Sequence, residues 1–142
     1  MSALTQVDFY ATQEADFTAV FPLIAKIVEK AYKQQMPVFL YCQTEQYAKQ
    51  TDDFLWTFGD ISFLPHAILE KEPQAFAPIL IGYSDVLPKD KNILINLADP
   101  VPSWHTEFKR VIEVVYQDNK SIARTHYKAY QALGVELKSH SV

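Results

Sequence analysis

Apolar positions recur along this chain with two different periods, and the alternation between the two predicts its architecture. Phe17, Val20, Phe21, Ile24, Ile27, Val28 and Ala31 follow helical spacing, with Lys26, Glu29, Lys30 and Lys33 on the opposite face. Pro22 falls on that outer face in an early turn, where a proline does least harm. A second helix is expected after Thr44, a good N-cap, running to about Phe58 before Gly59. Tyr47, Ala48, Thr51, Phe54, Leu55 and Phe58 make its predicted core face. Further helices are expected over residues 105–116 and 119–133, the last closed by Gly134. Residues 37–42 are instead a short continuous apolar run, the signature of a strand buried on both faces, and residues 78–81 and 92–97 read as two further buried strands. Residues 7–10, 61–64 and 135–137 read as shorter strands. Residues 70–78, with two prolines and three charges, read as the most flexible loop, and residues 82–91 as a turn-rich connection. Strands alternating with helices predict an α/β domain over residues 1–142, its largely parallel sheet covered on both sides.

Composition narrows the class. With 142 residues, 49% hydrophobic and 21% charged, the chain is an ordinary globular domain rather than a disordered one. A net charge of −4 disfavours a general nucleic-acid binder, which needs a broad basic surface. The single Cys42 forms no intramolecular disulfide, which suits a reducing cytoplasm. No run approaches the roughly 20 apolar residues that span a bilayer, and the first residues do not read as a signal peptide, so a soluble, intracellular protein is expected.

Against that acidic background one stripe is basic. Lys120, Arg124, Tyr127 and Lys128 share one helix face, with Ile122, Ala129 and Leu133 opposite as the predicted buried side. One guanidinium, two ammoniums and an amphipathic aromatic suit a carboxylate attached to something apolar. A solvated face carrying a stray tyrosine is the competing reading of the same spacing. On the second helix Trp56 falls on the polar arc beside Lys49, Asp52 and Asp53, and Phe63 extends that aromatic character. Tryptophan on a polar face marks either an interface or a site covered by a loop of the same chain.

Catalytic signatures are scarce. The three glycines, Gly59, Gly82 and Gly134, do not fall in a strand-to-helix turn, so neither a dinucleotide fingerprint nor a phosphate-cradling loop is present. His66, His105, His126 and His140 show no metal-ligand spacing, and one cysteine builds no structural zinc site. No cofactor is expected. His126 falls on the inward side of its helix, as a hydrogen-bonded core histidine. A Cys42–histidine pair, or a cluster of Asp85, Asp90 and Asp99 with Lys89 and Lys91, would be the basis of a small α/β hydrolase or nuclease. Packing at a strand end and solvation of a charged loop account for the same residues.

Taken in order, VDFY (7–10), LW (55–56), FLPH (63–66), APILIGY (77–83), NILINLADPVP (92–102), RVIEVV (110–115) and ARTHYKAYQALG (123–134) span nearly the whole chain. In these segments the chain resembles the chi subunit of the bacterial DNA polymerase III holoenzyme, a clamp-loader accessory protein. The resemblance implies a three-layer Rossmann-like α/β fold without a nucleotide site, and a non-catalytic subunit of a DNA-directed DNA polymerase complex. It implies heterodimer formation with the psi subunit at the positions of Trp56 and Phe63, a surface for which an accessory DNA helicase is thought to compete. It also implies binding of the acidic C-terminal tail of single-stranded-DNA-binding protein by Lys120, Arg124, Tyr127 and Lys128. DNA would then be met only indirectly. A direct single-strand binder that stacks bases on Tyr127 and Trp56 is the third possibility. Two departures stand out: residues 67–78 lack the glycines common in the family's loop, and His126 replaces a frequent arginine.

Overall fold

The computed structural model describes residues 5–57, 59 and 63–142. Seven strands form one sheet: β1 (Gln6–Ala11), β2 (Val38–Cys42), β3 (His66–Ile68), β4 (Ile79–Gly82), β5 (Ile93–Leu97), β6 (Arg110–Val115) and β7 (Glu136–Ser141). Their spatial order is β3-β4-β2-β5-β6-β1-β7, and every described pairing is parallel. Among the described residues three α-helices flank them: α1 (Phe17–Lys33), α2 (Glu45–Thr57) and α3 (Lys120–Ala132). The expected α/β class, with a Rossmann-like parallel sheet between helical layers, is what the chain adopts.

Side-chain alternation along the strands divides the core in two. Val38, Leu40 and Cys42 of β2 point to the layer made by α1 and α2, where Phe21, Ile24, Val28, Ala48 and Leu55 meet them. Phe39 points the other way, to Phe9, Phe108 and Tyr130 of α3. Asp16 caps α1, accepting the Ala19 amide at 2.9 Å. Thr44 does the same for α2 at Tyr47, more loosely at 3.3 Å. Gly82 ends β4 because nothing larger fits: a Cβ there would lie 2.7 Å from the Phe39 ring.

Several expectations need correcting. Residues 110–115 are not helical but form the internal strand β6, between β5 and β1, preceded by a short 3-10 turn at Ser103–Glu107. Val111, Ile112, Val114 and Val115 are β-branched, a preference that outweighed their helix-like spacing with His105 and Phe108. The short strand expected at 61–64 falls instead at His66–Ile68; Phe63 and Leu64 precede it, and residues 61 and 62 lie outside the described residues. The last strand is longer than expected and borders the sheet. On α3 the buried side is Ala123, His126 and Tyr130, rotated from the expected Ile122, Ala129 and Leu133, of which Leu133 is 59% exposed. On α2 only Ala48, Thr51 and Leu55 are buried, while Tyr47 is exposed and Phe58 lies outside the described residues.

Candidate functional site

The rotation of α3 has a polar cause. Glu113, buried in the middle of β6, accepts three hydrogen bonds: from Tyr130 Oη at 2.7 Å, Asn96 Nδ2 at 2.9 Å and His126 Nδ1 at 2.9 Å. The other imidazole nitrogen of His126 meets the Asp99 carbonyl. Both ring nitrogens thus face acceptors, which only an imidazolium satisfies fully. Burial opposes that charge, but the Glu113 carboxylate outweighs it and holds His126 above the usual imidazole range. His126 is therefore the hydrogen-bonded core residue expected, and it anchors α3 to the sheet.

With His126 and Tyr130 turned inward, Lys120, Arg124 and Lys128 are exposed on the outer face of α3. Tyr127 lies at the border, 38% exposed, with its ring edge-on to Phe9 at 5.3 Å. That contact fixes the ring while leaving part of it accessible. Among the described residues none of the three cations has a carboxylate within salt-bridge distance, whereas Lys33, Lys49, Lys71 and Lys138 each do. Lys120 also opens α3, so its charge adds to the positive end of the helix dipole. The stripe is an open, uncompensated positive surface carrying one immobilised aromatic.

Trp56 is 56% exposed, so residues 70–78 do not cover it. Its ring packs on His66, centroid to centroid 4.4 Å. The His66 side chain is sealed, with Nδ1 on the Leu64 carbonyl at 2.7 Å and Nε2 3.5 Å from an Asp52 oxygen. Burial raises the Asp52 carboxyl above its usual range. His66 thus acts as the platform that turns the indole outwards. Phe63, three residues before, is 88% exposed. Both aromatics stand at the β3 border of the sheet, where α2 packs. Sequence reading found Trp56 and Phe63 but gave His66 no supporting role beside them.

The candidate catalytic residues do not assemble. Cys42 is buried against Thr51, 3.6 Å from its hydroxyl, and burial pushes its thiol up to about 12. A thiol so shielded is a packing group. Asp85 accepts a hydrogen bond from Trp104 Nε1 at 3.4 Å, Asp90 borders the groove containing Phe76, and Asp99 stands beyond β5. Lys89 lies over the Phe76 ring rather than on a carboxylate, 5.1 Å from its centroid. His105 is buried with Nδ1 on the Pro102 carbonyl, and His140 bonds Asp8. Among the described residues no three of His, Cys, Asp or Glu gather as a metal set. None of the described helices is long and apolar enough to cross a membrane.

A parallel α/β sheet without a glycine-rich turn thus displays a basic stripe on α3 and a propped-up tryptophan on α2. Comparison with known proteins gives the family. Residues 4–138 match the family described as "DNA polymerase III chi subunit, HolC". The chain is 32% identical over 139 residues to DNA polymerase III subunit chi of Pseudomonas aeruginosa, covering 96% of each chain. It is 30% identical over 125 residues to the Escherichia coli subunit of the same name, covering 86% of this chain and 85% of that one. With the Haemophilus influenzae subunit it shares 26% over 137 residues, 94% of this chain and 95% of the other. The chain belongs to the DNA polymerase III chi subunit family, the replication accessory subunits expected from its motifs.

Proposed function

We propose that this chain is a non-catalytic connector of DNA replication in the cytoplasm. Its α3 stripe binds the acidic C-terminal tail of single-stranded-DNA-binding protein, and a psi subunit bound at Trp56 and Phe63 joins it to the clamp loader. The observation that carries the reading is the α3 face itself: three cations without a carboxylate partner among the described residues, around a fixed, half-open tyrosine. Arg124 pairs with the terminal carboxylate through two parallel N–H bonds, and Tyr127 shelters the adjoining apolar side chain. Lys120 and Lys128 attract the acidic residues of the tail and make binding salt-sensitive. The Trp56 surface would serve an accessory helicase equally well, in competition with psi, and DNA is reached through these partners.

Calorimetric titration with a peptide copying that tail tests the reading. Arg124→Ala costs about 2–3 kcal/mol of binding, a 30- to 150-fold loss in affinity to within a factor of about two. Lys128→Ala, at the rim, costs about 1 kcal/mol or less. Equal losses from the two would make the stripe a diffuse field rather than a pocket, and no binding by the unaltered chain would refute the tail-receptor role. Trp56→Ala should leave the fold intact, because the indole is largely solvent-facing, and weaken capture of psi by about 2 kcal/mol or more. Undiminished co-purification with psi would refute that assignment.

A further inference from the structure

On the sheet face opposite α3, a groove of about 210 Å³ runs between α1 and strands β5, β6 and β1. Its floor is apolar, with Ile93 and Ile112 buried beneath the half-buried Leu23 and Ile27 of α1. Its rim is cationic: Lys26 and Lys30, one helical turn apart and both exposed, face Arg110 at the start of β6. Among the described residues no acidic side chain lines it, and neither lysine has a carboxylate within salt-bridge distance. The groove has room for one large side chain, and its rim attracts negative charge.

Arg110 is held in place from below. Asp8 of β1, its side chain 1% exposed, accepts Arg110 Nε at 2.6 Å, Gln6 Nε2 at 3.0 Å and His140 Nε2 at 3.0 Å. Arg110 Nη2 donates to Tyr10 Oη at 3.3 Å, and the Tyr10 ring packs on His140 at 4.7 Å. Burial opposes ionisation of Asp8, but its bonds to His140, Arg110 and Gln6 prevail and hold the carboxyl below its usual range. The guanidinium therefore stands rigidly at the groove mouth with Nη1 uncommitted among the described residues. With one edge engaged, it offers a fixed positive point rather than a free fork for a terminal carboxylate.

We propose that this groove is a second peptide site, which takes an acidic segment carrying one large apolar side chain within the chain rather than at its end. The apolar side chain enters between Leu23, Ile27 and Ile112, while flanking carboxylates meet Lys26, Lys30 and Arg110. An apolar slot with three rim cations fits such a peptide better than a nucleic-acid strand, which needs a continuous basic track that a chain of net charge −4 does not supply here. The proposal stands independently of the α3 reading, because the two surfaces lie on opposite faces of the sheet and differ in the carboxylate they select.

The test is calorimetry of the whole chain with an N-acetylated, C-amidated peptide bearing a central phenylalanine between aspartates. Binding at one site is expected, weakened about tenfold by Lys26→Glu with Lys30→Glu and unchanged by Arg124→Ala. Replacing the phenylalanine by glycine should abolish it. Both lysines are exposed, and circular dichroism confirms that the double variant folds. No binding, or binding lost with Arg124→Ala and kept by the double variant, overturns the groove and leaves the α3 site standing. Tighter binding of an oligo-dT strand, sensitive to the double variant, overturns the peptide assignment in favour of nucleic acid.

Discussion

Tyr130→Phe isolates the interaction that orients α3. The Tyr130 side chain has no solvent exposure, and its ring sits edge-on to Phe9 and His105 at 6.0 and 5.3 Å, contacts that phenylalanine keeps. Only the hydroxyl is removed, and with it the 2.7 Å bond to Glu113. A hydrogen bond to a charged acceptor contributes about 1.5–3 kcal/mol, and the removal of one partner leaves a buried acceptor short of a donor. Glu113 retains Asn96 on the same oxygen and His126 on the other, which places the expected loss near the middle of that range, about 2 kcal/mol. For a chain of 142 residues this corresponds to a fall of about 6 °C in Tm. Urea unfolding followed by tryptophan fluorescence measures it, with an unchanged m-value showing that only stability has moved. Tail-peptide affinity should stay within about twofold, since Phe9 still holds Tyr127. A loss below about 0.5 kcal/mol would refute the reasoning, because Glu113 could not then be the charged hub of the network.

Two further outcomes follow from the same structure. His126 binds its proton more tightly in the folded chain than at its ordinary value of 6.5, so its contribution is complete below that pH and is lost as pH rises through the raised folded value. Urea titrations from acid to alkaline pH should show the stability gap between the unaltered chain and His126→Gln narrowing as pH rises; a constant gap would contradict it. Gly82→Ala drives a methyl group into the buried Phe39 ring and should cost about 1–3 kcal/mol in thermal unfolding, whereas a neutral result would mean that the ring can shift.

The fold was most legible where the apolar pattern had a single interpretation. The stripe from Phe17 to Ala31 marks α1 within a residue or two, and the apolar run ending at Cys42 can only be an internal strand. The segment RVIEVV was ambiguous because a strand covered on both faces does not alternate, and Glu113 in its middle resembles the polar side of a helix. Its actual role as a buried carboxylate depends on Asn96, Tyr130 and His126, donors that no local window contains. The same network misled the reading of α3: with a histidine and a tyrosine inside, hydrophobicity no longer marks the inner face. The outward stripe survived that error, since the rotation left Lys120, Arg124 and Lys128 exposed and carried Tyr127 only to the border. Supports such as His66 under Trp56 come from separate elements, and spacing along the chain does not reveal them.

The order of strands has a consequence for how the two proposed binding surfaces relate to each other. α2 lies over β2, β3 and β4, and α3 over β6 on the other face, so about three strand spacings, on the order of 15 Å, separate them along the sheet, besides its thickness. Groups that far apart, sharing no side-chain partner, respond to perturbation additively. A tether seated at one end would leave the affinity at the other unchanged, and the span between them would stay the same in every state of occupancy. On the proposed reading, the chain acts as a spacer rather than as a relay.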